Sequence, residues 1–329
     1  MNADTGGDMD IKEITLEQLD PQGFIDEKCR ELREAVGDGY AINALSGGVD
    51  SSVVTMLGHK ALGDSLKTYF IDNGIMRKDE PSNIAAEFKA LGVPIEIIDA
   101  SDEFFSALNG LNDPEEKREA ITSTFYKKVF GDLVKKSNAR YLLQGTIFTD
   151  VEETVAGIKR QHNILAQLGI DTMQEYGYEV IEPVIQLRKT GVRKIGETLG
   201  LPSKMYNRPP FPGPALAARV IGEVTPERVA IVREATAIVE EELSGSGAFQ
   251  YLAILHEDRV TGIRDGKRDY GRQIEVRCWE STNAQVAQPT RLGFDILERL
   301  ASRITGEVDG VVSVTYNIAS KPTSTIEAV

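Results

Sequence analysis

Cysteine is nearly missing from the 329 residues: Cys29 and Cys278 stand far apart, which supplies neither a disulfide framework nor the close spacing of a metal site. Both are expected as buried small hydrophobes. Positive charge is also scarce, with 37 Lys and Arg against 51 Asp and Glu and a net charge of -14, so the surface repels polyanions. The densest basic runs, Lys127-Lys128 with Lys135-Lys136 and the stretch Arg264 to Arg272, are interrupted or mixed with Asp265 and Asp269. A nucleic-acid partner is therefore not expected. No apolar run nears the roughly 18 residues that span a bilayer, and the polar, acidic opening MNADTGGDMD is unlike a signal peptide. A cytoplasmic protein without a membrane partner is expected.

What is present has the rhythm of an α/β fold. Phe24, Ile25, Cys29, Leu32 and Val36 recur at helical spacing, and Gly37-Asp38-Gly39 stops that helix. A strand, Tyr40 to Leu45, leads into a glycine-rich turn and a helix over Val53 to Lys60. Strands are predicted at Leu66 to Ile71, Pro94 to Ile98 and Arg140 to Leu143, with helical stretches at Asn83 to Leu91, Asp102 to Leu108 and Pro114 to Lys136. Such alternation implies a parallel sheet covered on both faces, with the ligand crevice beyond the carboxyl ends of the strands. Val155 to Tyr178 has the composition of a mobile loop, and Leu187 to Leu199 reads as the helix that closes this domain.

Five prolines between Pro202 and Gly222 mark a boundary, since so many fit neither a helix nor a central strand. Beyond it, helices at Pro226 to Leu243 and Leu292 to Ile304 and strands at Gln250 to Leu255, Gln273 to Cys278 and Val311 to Tyr316 form a small α+β domain. The expected organisation is a poorly ordered N-terminus over 1–20, a parallel-sheet domain over 21–202, a proline-rich link over 203–222 and an α+β domain over 223–329.

The turn after the first strand carries the chemistry: Ser46, Gly47, Gly48, Val49, Asp50, Ser51 and Ser52. A glycine-rich turn into a helix N-terminus aims backbone N–H groups and the positive end of the helix dipole at one spot, which is an anion site. The Lys of a Walker A loop is lacking, so a pyrophosphate held mainly by neutral donors is expected. Asp50 would repel it unless a divalent cation lies between them, which makes Asp50 a Mg²⁺ ligand candidate.

This loop is similar to the PP-loop of the N-type ATP pyrophosphatases, which cleave ATP between its α- and β-phosphates. Further segments resemble the GMP synthase family in family order: Phe70 to Arg77, Asn112 to Arg118, Gln144 to Asp150, Ile158 to Asn163, Phe211 to Pro214 and Lys321 to Glu327. The resemblance implies an adenine nucleotide alpha-hydrolase-like domain followed by a dimerisation domain. It further implies that no glutaminase domain is attached, so ammonia is expected from a separate glutaminase subunit or from solution. It implies that the O2 of XMP attacks the α-phosphate of ATP, pyrophosphate leaves, and ammonia displaces AMP to give GMP.

By the same resemblance Asp50, Asp150 and Glu153 place Mg²⁺, and Lys159 and His162 act from a lid over the reaction. Asp72 and Gly145 join Ser46 to Ser52 around ATP, and Arg208, Lys321, Ile326 and Glu327 bind XMP. A homodimer through the C-terminal domain is implied. The chain departs from the family pattern at Gln161, where a His is usual, at Pro209 or Pro210, where another His is usual, at Ala215, and at Ala328-Val329, which replace Trp-Glu. These departures cluster in the XMP half and keep a second reading in play, a paralogue that adenylates another carbonyl for amidation or thiolation.

Overall fold

The computed structural model describes residues 11–155, 177–207, 211–264, 266–282 and 284–328. The chain forms two compact units, and each gathers more than one stretch of sequence: 1–71, 84–97 and 130–208 in the first, 72–83, 98–129 and 209–329 in the second. No helix among the described residues is long and apolar enough to cross a membrane.

The first unit is built on a five-stranded sheet of order β3-β2-β1-β4-β5, from β1 (Ala41–Leu45), β2 (Leu66–Asp72), β3 (Glu96–Asp99), β4 (Tyr141–Leu143) and β5 (Glu179–Ile181). β1 pairs in parallel with β2 from Ala41 opposite Leu66 to Leu45 opposite Phe70, and on its other side with β4, Asn43 opposite Leu143. Helix α1 (Pro21–Val36) starts at a proline in its first turn and buries Phe24, Ile25, Cys29, Leu32 and Val36, the stripe its spacing predicts. Helix α2 (Val49–Leu62) runs four residues closer to the strand than the apolar pattern shows, because its first turn is polar and faces the ligand crevice.

One element was not expected, and two expectations need correction. β5 is a strand of only three residues after an aperiodic stretch, and no period signals it. The helical stretch from Pro114 breaks into a helix over Pro114–Ser123, a π-helical turn over Thr124–Phe130 and a further helix over Gly131–Ser137. Residues 11–20, expected to be poorly ordered, are tied down in part: Ile14 N–H donates to the Gln186 carbonyl at 2.9 Å, and Glu13 pairs with Arg188 at 2.8 Å.

The second unit carries a mixed sheet from β6 (Gln250–Arg264), β7 (Lys267–Glu280), β8 (Gln288–Pro289) and β9 (Val311–Tyr316). The helices Pro226–Leu243 and Phe294–Glu307 complete it. β6 and β7 extend well beyond their expected spans into a long hairpin whose outer half is largely exposed. Lys117, from the Asn112 to Arg118 segment, is a strut of this unit. It is 1% exposed and its ammonium donates to the carbonyls of Val220 at 3.1 Å and Gly222 at 2.6 Å. Cys29 and Cys278 are free and buried, as expected.

Candidate functional site

The strand order of the first sheet reverses at β1: the chain moves to β2 and β3 on one side, then returns to β4 on the other. In open parallel sheets this switch point is where a crevice opens beyond the strand ends. The two turns that leave it are Ser46 to Gly48 and Gln144 to Thr146, so the phosphate-type loop sits where the topology puts a ligand.

The loop is preorganised by its own side chains. Gly47 takes φ +77°, a left-handed conformation that favours glycine. Ser51 Oγ donates to the Gly48 carbonyl at 3.0 Å and accepts from Ser46 N–H at 3.2 Å, while Ser52 Oγ donates to the same carbonyl at 2.8 Å. The first i to i-4 bond of α2 is Ser52 N–H to Gly48 carbonyl, at 3.0 Å. The N–H groups of Val49, Asp50 and Ser51 therefore precede the intrahelical ladder and form the donor end of the helix. No side chain caps that end. Below it, buried Asn43 on β1 donates to Thr55 Oγ1 at 2.7 Å and pins the helix to the strand.

The second turn closes on the first. A Cβ on Gly145 would come within 3.1 Å of the backbone of Asp50 and Ser51, so only glycine lets the two turns meet without displacement. Thr146 is buried and its hydroxyl donates to Glu182, the residue after β5. Burial pushes the Glu182 carboxyl above its ordinary value against that hydrogen bond, and nearby Asp150 adds to the rise. Asp150 lies in the first turn of the helix Phe148–Val155, where its Oδ2 accepts from Ile147 N–H at 3.0 Å. Asp150 and Glu153 stand three apart on this helix.

Two adjacent cations complete the arrangement, and neither was foreseen in the sequence. Lys189, at the start of the helix Lys189–Thr198, donates to Asp50 Oδ2 at 2.5 Å. Arg188 binds both carboxylate oxygens of Glu152, on the helix Phe148–Val155, at 2.7 Å and reaches Glu13 at 2.8 Å. The loop thus has a lysine after all, delivered from a distant helix instead of from the Walker position. A basic pair just before an amphipathic helix is the only signal the sequence offered.

Asp50 suits a divalent cation. Its Oδ1 is buried and has no hydrogen-bond partner, a state that buried carboxylate oxygens rarely keep. Among the described residues no group of three or more His, Cys, Asp or Glu side chains could hold a metal by itself.

In the second unit, Asp72 Oδ1 accepts from Gly74 N–H at 3.0 Å and Asn73 Oδ1 from Ile75 N–H at 3.0 Å, a tight double turn. Arg233 donates to the Gly74 and Met76 carbonyls and braces that turn. The tail residues fall in three settings. The Lys321 ammonium donates to the Ala284 carbonyl at 2.8 Å, Ile326 is buried beside Trp279, Leu252 and Ile254, and the Glu327 carboxylate accepts from Arg219 at 3.1 Å and Gln250 at 2.6 Å. Arg219 is itself 1% exposed, and the ring of Phe211 lies 4.9 Å from its guanidinium and 3.8 Å from that of Arg77. Lys159, His162 and Arg208 lie outside the described residues, as do Gln161, Pro209 and Pro210.

Residues 24–214 match the NAD synthase family, and residues 238–328 match the GMP synthase C terminal domain. The chain is 47% identical over 309 residues to a subunit of the glutamine-hydrolyzing GMP synthase of Archaeoglobus fulgidus, covering 94% of this chain and 99% of that one. It is 46% identical over 307 residues to the corresponding subunit of Pyrococcus horikoshii, covering 92% and 98%. To that of Methanocaldococcus jannaschii it is 42% identical over 314 residues, covering 94% and 99%.

Proposed function

This chain belongs to the family of these GMP synthase subunits, and on that premise we propose that it amidates XMP to GMP with ATP, taking ammonia from a separate glutaminase subunit. It is a carbon–nitrogen ligase that forms AMP and pyrophosphate. The observation that carries the reading is the phosphate loop at the sheet's switch point, with the unpartnered Asp50 oxygen and the Lys189 ammonium beside it.

The first step joins the O2 of XMP to the α-phosphorus of ATP and breaks the bond from that phosphorus to the β-phosphate bridge. Negative charge builds on the departing pyrophosphate. The N–H groups of Val49, Asp50 and Ser51 are donors fixed before the reaction, so stabilising that charge costs little reorganisation, while the hydroxyls of Ser46, Ser51 and Ser52 would add donors by turning from their bonds within the loop. Lys189 adds a cation that can exchange the Asp50 carboxylate for a phosphate oxygen. Mg²⁺ held by Asp50, with Asp150 and Glu153, would neutralise the phosphates. In the second step ammonia bonds to C2 of the purine, AMP departs with O2, and a proton is lost from nitrogen. Lys159 and His162 are assigned to the same chemistry, where a cation acts on the transition state more than on binding.

The nucleotide substrate is assigned to Arg208, Lys321, Ile326 and Glu327, and the adenosine to Asp72 and Gly145. Lys321 keeps two N–H donors beyond the one given to Ala284. A homodimer through the C-terminal domain is supported by Ile263 and Tyr270, large apolar side chains 78% and 63% exposed on the β6–β7 hairpin. A cytoplasmic setting suits substrates of this kind.

The test is product stoichiometry. With XMP, ATP, Mg²⁺ and an ammonium salt, GMP, AMP and pyrophosphate should form in equal amounts. Amidation of another oxo-purine or a carboxylate in place of XMP, by folded protein, would overturn the assignment.

A further inference from the structure

The chain's tail is held by a side chain that the reaction described above does not use. Arg277, on β7, donates through Nη1 to the carbonyls of Thr325 at 2.7 Å, Ile326 at 3.4 Å and Glu327 at 3.3 Å. Its Nε donates to Glu275 Oε1 at 2.6 Å, and the other oxygen of Glu275 lies 2.8 Å from His256 Nε2. The Arg277 and Glu275 side chains are 11% and 13% exposed. A largely desolvated guanidinium is costly unless its donors are used, and here Nη1 is used on the backbone of one short segment and Nε on one carboxylate.

Three successive carbonyls meet one guanidinium nitrogen only if the segment curls around it. That curl presents the Glu327 carboxylate to Arg219 and Gln250 and inserts Ile326 into the cluster with Trp279, Leu252, Ile254 and Ala287. A tail fixed by Ile326 alone could rotate about its buried side chain. The Arg277 fork fixes its direction as well.

We propose that Arg277 is a positioning residue for the nucleotide substrate: it latches residues 325–327 and so sets the place of Glu327, with Glu275 and His256 holding Arg277 from behind. The proposal rests on the reading that the tail serves XMP.

Trp279 is the chain's single tryptophan and shares its cluster with Ile326, so its emission reports tail docking without any reference to activity. Arg277→Gln should shift that emission to longer wavelength and open the tail to carboxypeptidase. It should raise the KM for XMP by about tenfold or more, the loss expected of hydrogen bonds to a charged group, with the KM for ATP unchanged. In a chain ending at Ser324 the same substitution should change nothing further in the XMP response, because the latched segment is gone. Arg277→Lys, which keeps a cation with fewer donors, should fall between the two and carries the same comparison should Arg277→Gln fail to fold.

Native emission and a native XMP KM in Arg277→Gln would overturn the proposal, as would equal losses for XMP and ATP, or effects that multiply in the shortened chain. The two readings separate cleanly. A released tail with an unchanged XMP KM removes the tail from substrate binding and the latch from the reaction. A docked tail in Arg277→Gln, with XMP binding lost only on truncation, keeps the tail's role and rejects Arg277.

Discussion

The ammonium of Lys189 stands 2.5 Å from Oδ2 of Asp50, joining the first residue of one helix to the first turn of another across 139 positions of sequence. Because the Lys189 side chain is 46% exposed, the pair contributes at most about 1 kcal/mol to the fold. Its value lies in charge placed at the phosphate loop. Lys189→Met should therefore leave the thermal midpoint nearly unchanged and lower kcat/KM for ATP by about tenfold or more, the loss of one charge-assisted contact. Asp50→Asn should keep the fold and abolish pyrophosphate release. Near-normal release in either variant would remove that residue from the chemistry.

Arg219 and Glu327 make the opposite case. The guanidinium is 1% exposed and its Nη1 has no partner, so its charge is balanced chiefly by a carboxylate that is 18% exposed. Removing one side of such a pair leaves a buried charge uncompensated. Glu327→Ala should cost about 3 kcal/mol of stability, measured by urea unfolding, and Arg219→Met with Glu327→Ala should cost less than Glu327→Ala alone. Additive losses would show that the pair is not coupled.

Glu275 gives the acid limb of stability. Burial works against its ionisation, but the hydrogen bonds from His256 and Arg277 outweigh it and hold the carboxyl below its ordinary value. A depressed carboxyl contributes stability that is present above the unfolded value, about 4.3, and is lost as pH falls through the folded one. Unfolding measured from pH 7 downward should show this loss below about pH 4.3, and Glu275→Gln should flatten the curve there. An unchanged acid limb in that variant would contradict the assignment.

The source of nitrogen has its own test. Ammonia attacks only as the free base, so at fixed total ammonium the rate of the isolated chain should rise with pH. Glutamine should be inert until a glutaminase subunit is added. Glutamine-dependent GMP formation by the pure chain would refute the two-subunit reading.

The parts of the site that could be read from the sequence are those where local pattern and chemistry coincide. Ser46 to Ser52 follow an apolar strand and open a helix, so the turn declares itself. The helices Pro21–Val36 and Pro226–Leu243 keep one apolar period and have proline in the first turn, and both match their expected bounds. Lys189 could not be read this way, because nothing local to a basic pair says which carboxylate it meets. β5 has three residues, too few for alternation to appear. The outer half of the β6–β7 hairpin is bound by backbone pairing, as in Ile263 opposite Arg268, with little side-chain burial, so it carries polar residues that resemble a loop. Arg277 reads as one more surface arginine until the tail is seen wrapped on it.

The chain passes between its two compact units at 71/72, 83/84, 97/98, 129/130 and 208/209. Neither unit is therefore a contiguous gene segment. A cut at any one of these points leaves pieces of one unit stranded in the other's fragment, and a fragment ending near residue 208 would carry 72–83 and 98–129 without the residues they pack with. Shuffling by simple fusion, which exchanges whole stretches of coding sequence, cannot transplant either half alone. Hybrids between relatives that swap only residues 209–329 should collapse or aggregate unless 72–83 and 98–129 come from the same parent, so for inheritance these three stretches behave as one locus.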